Sequence, residues 1–217
     1  MSILRLMKPN IKLFISILVL VNGILMSANA PCETRTLTYQ IYNGKDCIGS
    51  LKVKRVTEDS MVHYSFEMRT KFRLVLNFVL NQDMQETFCG GKLLKSVCIR
   101  NLDGKITINN VIQAKGPAFL FREMDHPADL HHVNITASML TLYFSQPNGQ
   151  KQALSESFLE MADVHSLNPN AILVTSSNGN KTKYTYTNGV CSRLDATGSW
   201  GVKLHCVLSE NSVTRCE

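Results

Sequence analysis

The sequence predicts an all-β fold, built as one curved antiparallel sheet that is half-barrel-like. Apolar and polar residues alternate with a period of two along most of the chain beyond residue 34, which is the pattern of half-buried strands. Turns rich in Gly, Asn and Asp interrupt this alternation at roughly the 8–12-residue spacing typical of all-β proteins. Residues 115–145 break the pattern, and we expect a short helix or a lid segment there.

The amino-terminal part of the chain predicts three strands joined by tight turns. Leu37, Tyr39 and Ile41 alternate with polar residues, and residues 48–56 continue the pattern after a turn. Every second residue across positions 62–72 is then apolar, aromatic or Thr. A helix would scatter these side chains around its circumference, so a half-buried strand is favoured.

The next two hairpins follow the same logic. A denser apolar run over residues 74–80 leads into residues 83–88, and Gly90-Gly91 allows a tight turn because glycine adopts positive φ at little cost. Residues 93–100 return as a strand, and another strand begins at Ile106.

The segment 115–145 contains Pro117 and Pro127, which interrupt regular structure. Within it, residues 138–144 fit one or two turns of helix with Ser138 as the N-cap, and they fit a strand equally well. Strand character resumes at Gln152 and is weakest over residues 156–168. It is clearest over 172–174, 184–187, 190–194 and 202–208.

The first thirty residues have the three parts of a secretory signal peptide. Arg5, Lys8 and Lys12 precede an apolar run over residues 13–26, and the small-residue stretch 27–30 ends it. The run is shorter than the ~20 residues that span a bilayer. We therefore expect residues 1–30 to be removed and no transmembrane segment to remain. Residues 31–217 would then form a single secreted or periplasmic β domain.

Charge and length exclude several classes of partner. The 217-residue chain has 23 basic and 17 acidic residues, and three of the basic ones lie in the signal segment, so the mature net charge falls from +6 to +3. The remaining basic residues are scattered, which argues against nucleic acid as a partner. A chain of this length fills a core without needing a cofactor, and none is expected.

The seven cysteines contain one candidate disulfide. If Asn188-Gly189 makes a two-residue turn and a four-residue loop follows at 197–200, Cys191 and Cys206 face each other about 5.5 Å apart, within disulfide range. Such a bridge would stabilise the fold by about 3 kcal/mol. The alternative is that both are small buried apolar residues. No C-x-x-C motif is present, which removes the commonest redox and zinc signatures.

A weak candidate metal site lies in the same interrupted segment. His126, Asp129, His131 and His132 are residue types that bind zinc. Their spacing matches no known ligand pattern, and the two adjacent histidines would point to opposite faces of a strand. An exposed, solvated loop is therefore the preferred interpretation, and no metal is expected.

Several motifs resemble a family of uncharacterised secreted bacterial proteins, described only as a domain of unknown function. The stretch LYFSQP at 142–147, followed by LSE at 154–156, is similar to that family's pattern, and so is the hairpin YTYTNGV at 184–190. Tyr39-Gln40-Ile41 and Glu86 with Gly91-Lys92-Leu93 agree with it. More distantly, the chain resembles lipoprotein-carrier-type periplasmic half-barrels. Because fold alone does not carry function, the resemblance implies a β-rich fold and no catalytic residues.

The stripe of Val62, Tyr64, Phe66 and Met68 could line an apolar pocket. If the sheet curves without closing, its concave face is apolar and partly uncovered, which suits a lipid or another apolar small molecule. No catalytic motif is recognisable. We expect an exported, non-enzymatic envelope protein that binds such a ligand. The alternative is an interaction protein whose sheet edge pairs with another envelope protein. A hydrolase or a metal-binding protein is less expected.

Overall fold

A computed structural model of the protein describes residues 32–73, 77–197 and 203–215, so the predicted signal peptide lies outside the described residues. Within these ranges the chain forms fourteen strands and one 3-10 turn, which confirms the all-β prediction. The strands are β1 (Glu33–Asn43), β2 (Asp46–Glu58), β3 (Met61–Arg73), β4 (Asn77–Cys89), β5 (Lys92–Leu102), β6 (Lys105–Lys115), β7 (Ala118–Glu123), β8 (Asp129–His131), β9 (Gln152–Ser155), β10 (Glu160–Asn168), β11 (Ala171–Thr175), β12 (Lys181–Thr187), β13 (Val190–Thr197) and β14 (Lys203–Arg215).

All fourteen strands belong to one antiparallel sheet. Its order is β8-β7-β6-β5-β4-β3-β2-β1-β14-β13-β12-β11-β10-β9, so the first and the last strand are neighbours in the middle. The sheet thus consists of two meanders that meet where β1 pairs with β14, from Glu33↔Arg215 to Asn43↔Leu204. Among the described strands β8 and β9 are the two edges, and the sheet stays open, as predicted.

Register shifts bend the strands and give the sheet its curvature. One of them falls between Ile41 and Tyr42, where β1 pairs with β2. Gly49 lies beside it and opposite Thr70 of β3. A Cβ atom at Gly49 would lie 2.1 Å from the carbonyl oxygen of Arg69. Only glycine therefore allows the two strands to approach each other this closely.

The core lies between the concave face of the sheet and a segment of the chain that folds across it. Leu37, Tyr39 and Ile41 of β1 are almost completely buried on this face. Opposite them lie residues 137–144, which we call the plug. Most of the plug's apolar side chains are buried in the same cluster: Ala137, Leu140, Leu142, Tyr143 and Phe144. The protein therefore covers the concave face with its own chain.

The region predicted as a short helix or a lid has three parts in the structure. β7 and β8 extend the sheet, and the plug follows them. The helix is reduced to the 3-10 turn Thr141–Tyr143. Ser138, the predicted N-cap, does accept a hydrogen bond at this turn, from the backbone N–H of Thr141 to its Oγ at 3.2 Å.

Cys191 and Cys206 do not form a disulfide, and the structure shows the second alternative, two small buried residues. The two-residue turn at Asn188-Gly189 forms as expected, with Tyr186 opposite Cys191. The next hairpin, however, closes at Thr197↔Lys203, which is a longer connection than the predicted loop. Leu194 therefore lies opposite Cys206, and Cys191 and Cys206 are free, buried thiols. Burial raises the pKa of both to about 12.

No helix in the described part of the chain is long and apolar enough to cross a membrane.

Replacing Gly49 by Ala should destabilise the fold. The new methyl group would overlap the Arg69 carbonyl, and relieving that overlap should cost about 1–3 kcal/mol. Thermal unfolding checks this, with Ser50→Ala on the neighbouring exposed position as the control. A midpoint for Gly49→Ala equal to that of Ser50→Ala would contradict the close strand approach.

Candidate functional site

A cleft of about 340 Å³ opens at one end of the concave face. Val62 and Tyr64 of β3 and Phe88 of β4 form its sheet side, and Leu142 and Pro147 are among the residues on its other side. Val62 and Tyr64 are half-buried, so they are reachable from outside. The cleft thus lies between the sheet and the chain that leads into and out of the plug.

The predicted apolar stripe is divided by the plug. Val62 and Tyr64 line the cleft, whereas Phe66 and Met68 do not. Phe66 is buried, and its ring lies 6.2 Å from that of Tyr143 in the plug. Met68 packs half-buried against the same core further along the strand. The plug therefore leaves only part of the predicted pocket open at this end.

Tyrosines from both meanders hold the plug in place. The ring of Tyr143 packs edge-on against Tyr39 of β1 at 5.5 Å and against Tyr184 of β12 at 5.8 Å. Tyr186, also on β12, donates its hydroxyl to the backbone oxygen of Leu142 at 3.0 Å. Aromatic pairs in these geometries add about 0.5–1.5 kcal/mol each beyond simple burial. The plug is therefore an integral part of the core.

Two buried carboxyl groups meet beneath the plug. Glu86 of β4 and Glu156, which follows β9, are each 2% exposed. Ser138 donates its hydroxyl to Oε2 of Glu86 at 2.5 Å, and the backbone N–H of Leu140 donates to Oε1 of Glu156 at 3.3 Å. The two carboxyl groups also lie close enough to interact electrostatically. Each carboxyl group of this pair thus accepts a hydrogen bond from the plug.

The surroundings of the carboxyl pair favour the protonated, neutral form of both groups. Burial raises the pKa of Glu86 well above its usual value, and the neighbouring charge of Glu156 raises it further. Burial also raises the pKa of Glu156, although hydrogen bonds to its charged form oppose the shift. Oε1 of Glu86 is buried and has no hydrogen-bond partner among the described residues. The raised pKa values therefore favour at least one protonated carboxyl group in the pair.

A shared-proton carboxyl pair can act in acid–base catalysis when a substrate reaches it. Here Glu86 and Glu156 are fully enclosed, and neither lines the cleft. Two groups of the plug, the hydroxyl of Ser138 and the backbone N–H of Leu140, hydrogen-bond to them. The arrangement therefore serves to anchor the plug.

A second polar group lies on the concave face, one strand pair further along. Arg100 of β5 donates from Nε to Oε1 of Gln82 at 2.8 Å and from Nη2 to Oγ of Ser157 at 3.3 Å. Gln82 donates in turn to Ser157 at 3.1 Å. Burial lowers the pKa of Arg100. This guanidinium is therefore held by neutral groups.

The weak metal candidates surround a separate hollow of about 410 Å³. His126, Asp129 and His131 line it together with Glu123, and His132 does not. Across the described residues, no three His, Cys, Asp or Glu side chains come close enough together to hold a metal ion. The ring of His131 instead packs against Phe121 at 4.5 Å.

Sequence reasoning did not assign a role to Glu86, Glu156 or Arg100. The sequence did indicate that Glu86 is buried, because strand alternation puts it on the same face as Met84 and Phe88. A carboxyl at an apolar-face position must be buried with a partner, and this requirement could have drawn attention to it. The partner itself lies far away in the sequence and could not be identified from a pattern.

Comparison with known proteins gives a family and a likeness to solved structures. A family model described as “Domain of unknown function (DUF6134)” matches residues 39–209. Among solved structures, the chain is similar to the one titled “Crystal Structure of Beta-barrel-like Protein of Domain of Unknown Function DUF1849 from Brucella abortus”. The TM-score is 0.48 at 10% identity, over 86% of this chain and 99% of that one. No curated protein matches.

The carboxyl pair makes stability depend on pH. Because the folded-state pKa values of Glu86 and Glu156 are raised, their contribution is complete below the unfolded-state value, about 4.3, and is lost as pH rises through the folded-state values. Glu86→Gln keeps an oxygen that can accept the hydrogen bond from Ser138, and it removes one ionisation. We expect it to reduce the drop in melting temperature between pH 5 and pH 8 by about 3 °C or more.

The control for this measurement is Glu67→Gln, an exposed carboxylate on the outer side of β3. It should leave the pH dependence of the melting temperature unchanged. If Glu86→Gln also left it unchanged, the raised pKa of Glu86 would not contribute to the pH dependence of stability.

Proposed function

We propose that this chain, which belongs to the DUF6134 family, is an exported, non-enzymatic protein of the bacterial envelope that binds an apolar small molecule or acyl chain in the cleft beside the plug. The family match agrees with the resemblance found in the sequence. The observation that carries the ligand proposal is the cleft itself, about 340 Å³ in volume and lined by Val62, Tyr64, Phe88, Leu142 and Pro147.

Volume and chemistry both favour a small apolar ligand. Ligand sites in proteins have volumes of roughly 300–1,000 Å³ and combine apolar walls with a few polar groups. Here the aromatic wall faces polar side chains on the other side of the cleft: Thr136, Thr141, Ser145, Gln146, Asn148 and Gln150. The half-buried ring of Tyr64 lies between Phe88 at 5.7 Å and Phe144 at 5.5 Å, so it forms a preorganised surface. A ligand would therefore meet a wall that is already in place.

Export is supported by the amino-terminal sequence. A basic start, an apolar run and a small-residue end are the parts of a secretory signal peptide. The non-enzymatic proposal is supported by the enclosure of Glu86 and Glu156, the carboxyl pair best suited to acid–base chemistry.

A second candidate function is pairing of a sheet edge with another protein. β7 covers β6 only from Asn110 to Lys115, so residues 105–108 have no strand partner on that side among the described strands. Ile106 in this stretch is 47% exposed. The edge is short and begins with Lys105, and a charged residue on a short edge is the usual protection against pairing. The cleft is therefore the favoured site.

Val62→Trp should block the cleft. A larger side chain at this half-buried position fills the space, and we expect the affinity for N-phenyl-1-naphthylamine to fall about tenfold or more. The control is Val213→Trp on β14, where the original side chain is 54% exposed and is not part of the cleft lining. Fluorescence titration measures both. Equal binding by Val62→Trp and the wild type would refute the cleft as the site.

Export is tested separately by the intact mass of the protein isolated from its own envelope fraction. We expect a chain that has lost about thirty amino-terminal residues. A full-length chain in the soluble cytoplasmic fraction would contradict export and would leave the cleft proposal untouched.

A further inference from the structure

Arg100 occupies an unusual position for a charged residue, because its strand partners all lie on the concave face. In the sheet it pairs with Gln82 of β4 on one side and with Ile108 of β6 on the other. Gln82 in turn pairs with Met68 of β3. The guanidinium therefore lies in a row that crosses the inner face, and its side chain is half-buried.

The charge of Arg100 has no counter-charge in the described part of the protein. Its hydrogen-bond partners, Gln82 and Ser157, are both neutral. Three other arginines pair with carboxylates: Arg55 with Glu33, Arg69 with Asp83 and Arg193 with Asp195. Withdrawing an unpaired charge from water is costly unless an opposite charge is added. A half-buried, unpaired arginine of this kind is therefore a candidate anion site.

The guanidinium keeps donors available for a ligand. Nε is used by Gln82 and Nη2 by Ser157, whereas Nη1 has no acceptor among the described residues and is not enclosed. The Nη1–Nη2 edge of arginine matches the spacing of two oxygens on a carboxylate or phosphate. Gln82 and Ser157 fix the side chain in place, so little rotamer entropy remains to be lost on binding.

Apolar side chains flank this charge on the same face. Met68, Leu80 and Ile108 are each half-buried, unlike Phe66 and Met84 in the neighbouring rows, which the core encloses. None of the residues around Arg100 lines the cleft at the other end. The combination of one fixed cation with partly open apolar neighbours suits a molecule that has an anionic head and an apolar tail.

We propose that Arg100 is the anchor of an oxyanion site on the concave face, distinct from the cleft, which takes the carboxylate or phosphate head of an amphipathic ligand. The head accepts hydrogen bonds from Nη1 and Nη2, and the tail lies against Met68 and Ile108. This proposal rests on the charge and contacts of Arg100. It holds whether or not the cleft binds a ligand.

The test compares decanoate, decanol and inorganic phosphate as ligands of the mature protein by isothermal titration calorimetry. Decanoate should bind more tightly than decanol, because only decanoate carries the oxyanion. Arg100→Gln should weaken decanoate binding about tenfold or more, which corresponds to losing hydrogen bonds to a charged group. Arg122→Gln, which removes the same charge from an exposed position on β7, should leave it within about twofold.

The titration with inorganic phosphate distinguishes the head group of an amphipathic ligand from a free oxyanion. Competition by phosphate against decanoate, with decanoate the tighter ligand, supports an amphipathic head group. Phosphate binding that depends on Arg100, together with no binding of decanoate, would overturn the amphipathic ligand and leave a site for a free oxyanion.

A folding defect in Arg100→Gln would not end the test. Arg100→Lys keeps the charge and loses the planar fork, and it should bind decanoate more weakly than the wild type does. Melting temperatures of all variants separate folding from binding. If decanoate and decanol bind the wild type equally, or if Arg100→Lys binds decanoate as tightly as the wild type, Arg100 serves only to hold Ser157 and the proposal is wrong.

Discussion

A curved sheet that stays open must cover its own concave face, and this requirement shapes the rest of the molecule. The plug meets it by placing Leu140, Leu142, Tyr143 and Phe144 against the inner sides of the strands. Every feature with functional interest is defined by where the plug lies. The cleft is the space beside it, the carboxyl pair anchors it, and Arg100 lies beyond the part of the face that the core encloses.

The carboxyl pair that holds the plug costs free energy to bury. Two carboxyl groups buried side by side cannot both be ionised without strong repulsion, and sharing one proton avoids that cost. Apolar residues of similar size are often as stable as a buried polar pair. The hydrogen bonds from Ser138 and Leu140 give something that apolar packing does not, namely a single position of the plug along the sheet. We regard this fixed position as the reason for burying Glu86 and Glu156.

The two ends of the concave face differ in their chemistry. At one end, aromatic, aliphatic and neutral polar side chains line a cleft. At the other, a guanidinium without a counter-charge lies among half-buried apolar side chains. The same strands, β3 and β4, contribute to both ends through successive inward positions. The alternation of side chains along β3 and β4 thus contributes to two surfaces of different chemistry.

The amino-acid sequence by itself determined the strand content and most of the hairpins, because side-chain alternation and turn chemistry act over a few residues. Tertiary structure decided what depends on distant pairing. The β1–β14 pairing joins the two meanders, and the longer β13–β14 connection moved Cys206 away from Cys191. Glu86 meets Glu156 only because the plug crosses the sheet. Arg100 lacks a counter-charge only because its neighbours across the strands are uncharged. Local patterns carry no information on such contacts.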